Sequence, residues 1–597
     1  MVEKQWNGCV NPYEAKGTFL IVLYVVFLFA ALYYSFSLVT QIDFIEIHYN
    51  ESSLLPPYRK SQLQYWEEPV IKRNRQNAAG ELGSAVDVEM ERDGQFTLMF
   101  NRHKFNLVAS DKVWLNRTLK DNRFRQCLKK AYPQKLPTAS VIIVFHNEAF
   151  STLIRTVQSV VQTSPKELLK EVILIDDNSF KPSLKYHLKH FVQQFSVPVR
   201  VVRLSIRSGL IKGRNFASRI ASGDVLVFLD SHCECNEGWL TPLLARISED
   251  RTRVVSPIRD VIDKNTFEYR AVSDEIFGAF DWKLRFRWHR LPKRLLKLKE
   301  KDRTLPIMSP VPNGGIFAID KQFFNYFEKY DDELSYFGSE AVDLGLAVSI
   351  SDAWTCGGSV EIIPCSRVGH VFRESIPYSF PGSLKTIMWY NAARILETWM
   401  DDHRLFFYNL FPDALRKSRG DTKHRFEMRE KLKCHDFNWY LENIFPESSF
   451  PLKYRYLGQI EHIQTRYCMD TMYSLLSNNE EIRLRYCILD TDGTQFTYSQ
   501  QFVYTENDEI QSDGECLDVN EQKIVVLRQC QRTASQKWFH TRTSQIIRHK
   551  ISGLCLQLNE TQLAVPTLSE CTRDNKHQKW FMTDNFQWEP SFHKKHD

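Results

Sequence analysis

The sequence predicts an α/β domain built on a mostly parallel sheet, then an all-β domain of three repeats, behind one N-terminal membrane-spanning helix. Three observations carry this. An uncharged stretch of 23 residues lies near the N-terminus. Short apolar runs alternate with helical patterns from about residue 136. Three related blocks, each with two cysteines, recur after about residue 454. At about 100–200 residues per domain, a chain of 597 residues accommodates three or four units. Hydrophobic residues make up 43% and charged residues 25%, enough apolar content for packed cores. The net charge of +6 is small and spread along the chain, so no nucleic-acid partner is expected.

The uncharged stretch is GTFLIVLYVVFLFAALYYSFSLV (17–39), long enough to cross a bilayer core of about 30 Å. Tyr24, Tyr33 and Tyr34 interrupt it and no A-x-A-like site follows, which distinguishes it from a cleaved signal peptide. Lys4 and Lys16 precede it, and the next basic residue is Arg59. The positive-inside rule then places residues 1–16 in the cytosol and everything beyond 39 in a lumen. Of 13 cysteines only Cys9 falls on the cytosolic side, and the rest lie where disulfides persist. The sequons at Asn50, Asn116 and Asn559 are luminal in this topology. Residues 40–110 are polar, carry Pro56-Pro57 and show no sustained period, so they read as a stem with little fixed structure.

Four apolar runs define the α/β domain: SVIIVF (140–145), EVILIDD (171–177), VRVVRL (199–204) and VLVFLD (225–230). Helical patterns follow the first at 151–161 and precede the fourth at 209–221. Short buried strands alternating with helices indicate a parallel sheet, whose ligands bind beyond the carboxyl ends of the strands. Asp177 and Asp230 occupy such ends. In an extended segment Asp230 and His232 face one side, with Ser231 turned away. A carboxylate and an imidazole together suit a first-row divalent ion such as Mn²⁺ better than Ca²⁺. A capping Asp followed by an incidental His fits the same spacing. After residue 454, YCMD with QQF, ECLD with QKW, and LCLQ with QKW recur at 40–50 residues, each pair enclosing a second cysteine. One block is too small for a core of its own, whereas three packed around an axis can share one.

Longer stretches carry a family resemblance: FNLVASDKVWLNR (105–117), FHNEAFSTLIRTV (145–157), RSGLIKGR (207–214), FLDSHCECNEGWLTPLLARI (228–247), CGGSVEIIPCSRVGHVFR (356–373) and WYLENIFPE (439–447). The chain resembles the polypeptide N-acetylgalactosaminyltransferases, which initiate mucin-type O-glycosylation. The resemblance implies a GT-A catalytic domain over 111–447, a ricin-type β-trefoil lectin over 454–585, a short tail at 586–597, and residence in the Golgi membrane. It implies retaining transfer of N-acetylgalactosamine from UDP-N-acetylgalactosamine to Ser or Thr of acceptor polypeptides or glycopeptides, with Mn²⁺. Carried over, Asp230, His232 and His370 are metal ligands. Asp177, Arg207, Asp230, Ser231, Asn313, Gly314, Gly315 and Phe337 are donor-binding, and Arg373 and Tyr378 lie on a loop closing over UDP. Glu340 lies beside the anomeric carbon, and Asp470 and Asp518 bind sugar in the lectin. Implied disulfides are Cys127–Cys365, Cys356–Cys434, Cys468–Cys487, Cys516–Cys530 and Cys555–Cys571. Cys233 and Cys235 are expected to be unpaired thiols rather than a zinc pair.

The departures from the family gather near the donor site. The usual Trp-Gly-Gly-Glu-Asn is Phe337-Gly338-Ser339-Glu340-Ala341, and Met-Ala-Gly-Gly is Pro312-Asn313-Gly314-Gly315. Residues 349–353 look inserted, and Gln557 replaces the third lectin Asp. These changes leave two expectations. One is an active transferase with an altered donor pocket. The other is a catalytically weak or inactive lectin-like regulator of O-glycosylation.

Overall fold

The computed structural model describes residues 63–64, 78–88, 94–350, 358–416, 418–472, 482–488, 498–559 and 565–583. The span at 17–39, the sequon at Asn50 and the Cys356 half of the Cys356–Cys434 pairing lie outside them. Among the described residues no helix is long and apolar enough to cross a membrane.

Strands β1 (Ala139–Phe145), β2 (Leu169–Asp176), β3 (Val199–Arg203) and β4 (Val225–Asp230) run parallel in the order β3-β2-β1-β4. Alternate residues of β1 serve opposite faces. Val141, Ile143 and Phe145 pack with Leu153, Ile154 and Val157 of α1 (Phe150–Thr163). Ile142 and Val144 pack with Ile211 and Ala217 of α2 (Leu210–Ile220). Burial on both faces explains the unbroken apolar runs.

Beyond β4 the chain adds β5 (Cys233–Cys235), β6 (Arg253–Ile262), β7 (Phe317–Asp320) and β8 (Ser359–Val371). Strand β7 lies antiparallel between β4 and β6, while β8 is parallel to β6 and antiparallel to β5. The sheet is therefore mixed, and the expectation of a mostly parallel sheet holds only for β1–β4 and the β6–β8 pair. Strands β4 and β6 point the same way, so β7 between them, opposed to one, is opposed to both.

The stem reading needs correction near its end. Residues 94–110 include helix Gly94–His103 and most of helix Leu107–Lys112, and the Asn106 side chain caps the second by accepting from Ala109 N at 3.0 Å. Phe105 is fully buried in a cluster with Phe267 and Val371, so a polar-looking segment is fixed by one aromatic anchor. Cys127 and Cys365 are bonded, as are Cys468–Cys487, Cys516–Cys530 and Cys555–Cys571.

The three-repeat domain closes through strand Tyr454–His462, which pairs with Phe502–Thr505 and with the last strand Trp580–Thr583. Trp538 and Trp580 are buried in its core, and their indole N–H groups donate to Leu517 O and Leu556 O, two strands back in the same repeat. The two domains meet at Trp282. Its backbone N–H donates to Asp513 Oδ1 at 2.5 Å, and its Nε1–H donates to Ser449 O at 3.1 Å.

Burial, and then the neighbouring Asp281 carboxylate, push the Asp513 carboxyl well above the usual range. The folded state thus holds this proton more tightly than the unfolded chain. Its contribution is full below the ordinary Asp pKa of about 4 and is lost as pH rises through the folded value. Asp513→Asn keeps an oxygen for Trp282 without a titrating group. The expected outcome is a melting temperature that falls less with rising pH above about 4 than that of the parent protein, followed by circular dichroism. An unchanged pH profile would count against a proton at this interface.

Candidate active site

Strands β1, β2 and β4 finish on one edge, and each brings a carboxylate there: Glu148 shortly after β1, Asp177 directly after β2, and Asp230 as the last residue of β4. Together with the loop at 372–380 they border a cavity of about 440 Å³ lined by Asp177, Arg207, Asp230, Ser231, His232, Phe337, His370, Arg373 and Tyr378 among others. Glu340 and residues 313–315 lie outside that lining.

Asp230, His232 and His370 offer ligand atoms all within 4.8 Å of one another. His370 joins the other two through strand register: it pairs with Cys233 across β8 and β5, and Val371 N–H donates to His232 O at 3.1 Å. Residues 231–232 form a turn rather than the expected extended segment. Ser231 consequently does not face away, and its hydroxyl donates to Glu148 Oε2 at 2.9 Å. His370 Nε2 lies 3.2 Å from Asp230 Oδ2. Burial lowers the His370 pKa to about 3, so the ring is neutral, the form that coordinates metals. Burial opposes ionisation of Asp230, but His370 and Arg214 hold its carboxyl well below the usual range.

Glu148 was not singled out from the sequence. Its carboxylate, 1% exposed, accepts from Arg373 Nη2 at 2.7 and 2.8 Å and lies 3.0 Å from His232 Nδ1. Burial works against its charge, and Arg373 with His232 more than offsets it, so the carboxyl is well below its usual range. Arg373 Nη1 also donates to Tyr378 OH at 3.2 Å. Burial and Glu148 raise that phenol to about 12. The one available signal was position, an acidic residue just past an apolar run like those before Asp177 and Asp230.

Asp177 accepts Ser208 N–H at 2.6 Å and Gly209 N–H at 2.9 Å, which anchors the start of α2. Gly209 has φ +88°, and a Cβ there would lie 2.2 Å from Tyr336 Cα, so only glycine lets the 336–338 loop come this close. Arg207 donates to Ser379 O and lies over the rings of Phe380 and Tyr336. Phe337 stacks on Phe380 at 5.5 Å. Glu340 begins α3 (Glu340–Ile350) and accepts Gly338 N–H at 2.7 Å. Asn313 is fully buried; its Nδ2 donates to Pro257 O at 3.0 Å and its N–H to Ser256 Oγ at 3.1 Å. Cys233 and Cys235 are buried free thiols whose pKa burial pushes far up, too inert for a thiolate zinc pair.

In the three-repeat domain Asp470 is 2% exposed, accepting Met472 N–H at 2.8 Å and Gln500 Nε2–H at 3.2 Å. Gln557 takes the same part toward Gln578 Nε2, at 2.9 Å. Asp518 accepts Val519 N–H at 2.7 Å.

A sheet edge that gathers carboxylates, imidazoles and arginines around one cavity, joined to a three-fold β domain, defines a nucleotide-sugar transferase with an attached lectin. The family model "Glycosyl transferase family 2" matches residues 140–324, and "Ricin-type beta-trefoil lectin domain" matches 456–580. Polypeptide N-acetylgalactosaminyltransferase 13 of Homo sapiens is 42% identical over 535 residues, covering 89% of this chain and 92% of the relative. Polypeptide N-acetylgalactosaminyltransferase 16 of Homo sapiens is 39% identical over 488 residues, covering 81% and 84%. The crystal structure of GalNAc-T7 with UDP, GalNAc and Mn²⁺ superposes with a TM-score of 0.62 at 31% identity, covering 89% of this chain and 99% of that one. The chain belongs to the polypeptide N-acetylgalactosaminyltransferase family.

Because Glu148 Oε2 lies 3.0 Å from His232 Nδ1, its removal should loosen the trio Asp230, His232 and His370, whose atoms could hold a metal ion. Glu148→Gln is expected to weaken divalent-cation binding about 10–100-fold, read by isothermal titration calorimetry with Mn²⁺. Unchanged affinity would show that the turn alone orients His232.

Proposed function

We propose that this protein transfers N-acetylgalactosamine from UDP-N-acetylgalactosamine to Ser or Thr hydroxyls of polypeptides, with Mn²⁺ held by Asp230, His232 and His370. The observation that carries the reading is the convergence of those three ligand atoms within 4.8 Å on the cavity beside Arg373. The residues suit such an ion. Two imidazoles and one carboxylate are a donor set for first-row divalent metals. His370 Nδ1 is buried without a hydrogen-bond partner among the described residues. Gly315 leaves space beside Asp230, where a Cβ would lie 2.4 Å from Oδ1. When bound, the ion supplies positive charge to the diphosphate of the leaving UDP.

The chain's own groups do the rest. Arg373 places a second, permanently charged donor where the leaving phosphate gains charge, and Glu148 and Tyr378 fix its direction. Asp177 and Arg207 border the same cavity on the β2–β3 side and hold the nucleotide. Phe337, stacked on Phe380, covers the donor with an apolar face and no indole N–H. Glu340 stabilises positive charge or orients the sugar from the N-terminus of α3, and Gly314 and Gly315 let backbone approach it. Asp470 or Asp518 provides one sugar-binding site in the lectin. The uncharged span and its flanking charges favour a type II Golgi membrane protein with both domains luminal.

Asp230→Ala is expected to lower transfer to Ser/Thr-rich peptides at least about 100-fold, measured as UDP release and as glycopeptide mass. Equal rates from both proteins would remove the metal site from the reaction. Asn116 lies in an exposed turn, so a luminal location predicts an N-glycan there. Glycosidase treatment should shift the parent protein's mobility by one glycan more than that of Asn116→Gln. Identical shifts would argue against glycosylation at Asn116.

A further inference from the structure

Arg259 is the cation on the cavity that the reaction outlined above does not use. It projects from β6 and lines the cavity with Asp230, His232 and His370. Its guanidinium carbon lies 4.8 Å from the ring centre of Phe372, 5.0 Å from Trp288 and 5.6 Å from Phe286. Its Nη1 lies beside Gly314, where a Cβ would stand 3.2 Å away. Three rings and a missing side chain therefore hold the group.

No carboxylate pairs with it among the described residues, and its Nε is buried without a hydrogen-bond partner. The adjacent Asp260 cannot serve, because successive residues of a strand face opposite sides. Asp260 is fully buried and taken by Arg367 Nε at 2.9 Å and by Tyr269 OH at 2.8 Å. Asp230 is shared by Arg214 and His370. Burial lowers the Arg259 pKa to about 10, which still leaves it charged at neutral pH.

Aromatic rings hold an arginine through its face and leave its in-plane N–H fork for a partner. The partner that matches a fork is a planar carboxylate accepting two parallel hydrogen bonds. Position says which molecule brings it. Asp177 and Arg207, the nucleotide side of the cavity, come from β2 and β3 at one end of the sheet. Arg259 comes from β6, beyond β4 and β7 on the other side, and its rings Phe286 and Trp288 belong to the strand Phe286–Arg290. Gly314 touches Arg259 and the next residue, Gly315, touches Asp230. Arg259 Nη1 and Asp230 Oδ1 are therefore no more than on the order of 10 Å apart, the reach of about three residues of extended chain.

We infer that Arg259 is a specificity-determining residue that receives an Asp or Glu side chain of the acceptor polypeptide, within about three positions of the hydroxyl that is glycosylated. This rests on the transferase reading above and adds to it the acidic class of acceptor.

The test uses the full-length protein with UDP and Mn²⁺ and fluorescent peptides bearing a single Thr. Each carries one Glu, or Gln in its place, at one of the three positions on either side. Binding is read by fluorescence anisotropy, so the outcome does not depend on turnover, and transfer is then read on the same pairs. At one position the Glu peptide is expected to bind at least about tenfold more tightly than its Gln twin, the scale of one charged hydrogen-bonded contact. In Arg259→Gln that ratio should collapse toward one, and in Arg259→Lys, which keeps the charge but not the fork, it should be intermediate. A ratio near one in the parent protein, or a ratio that survives Arg259→Gln, overturns the inference. So does a variant that loses UDP affinity and keeps the peptide ratio, since Arg259 would then serve the donor. If the ratios behave as expected while no peptide is glycosylated, the transferase reading fails and the acidic-peptide site remains.

Discussion

The site depends on one piece of strand pairing, that of Val368–His370 in β8 against Cys233–Cys235 in β5. It brings together residues about 140 positions apart and sets His370 Nε2 3.2 Å from Asp230 Oδ2. A shift of one residue would turn His370 to the other face of the sheet, because side chains alternate along a strand. The register is itself secured. Val368 is fully buried, Asn236 N–H donates to Arg367 O, and the Arg367–Asp260 ion pair ties β8 to β6 from within. Breaking such a pair from one side leaves a buried charge unmatched, which is far more costly than losing an exposed one.

Around this pairing the site has more arginines than the chemistry of the diphosphate alone requires, and burial sorts them. Arg214 is matched to Asp230 and to Gly315 O, and Arg373 is matched to Glu148. Both hold carboxylates in their charged form and keep them aimed. Arg259 has rings but, among the described residues, no carboxylate paired with it. Aromatic faces lessen the desolvation cost of a guanidinium without using its N–H groups, so a cation can be kept there in the absence of a ligand.

The first half of the sheet was legible because strands buried on both faces produce unbroken apolar runs, and Asp177 and Asp230 marked their ends. The antiparallel β7 was not, since FAID is four residues long and reads as nothing in particular. His370 could be placed only through family resemblance. A histidine in an apolar strand carries no sign of its register, and spacing along the chain does not encode pairing between strands. The expectation that Ser231 turns away failed because the chain bends immediately after Asp230 and strand periodicity ends with the strand. Glu148 escaped because a lone acid in a loop is ordinary until its neighbours are known. The end of the stem was misread for a similar reason: helix 107–112 is short, and its anchor Phe105 is recognised as core only when Phe267 and Val371 are seen around it.

The lectin shows where composition and role separate. Asp470 and Gln557 occupy equivalent places, and each accepts from the glutamine that closes its repeat. An oxygen acceptor is what the repeat needs for its own structure, and either side chain provides one. Charge is what distinguishes them. A carboxylate left with a free lone pair accepts strongly from sugar hydroxyls, whereas a neutral amide accepts more weakly. Both repeats that carry an Asp at this place reach the catalytic domain: the Tyr498 ring of the first lies 6.1 Å from that of Trp282, and Asp513 of the second accepts from Trp282 N–H.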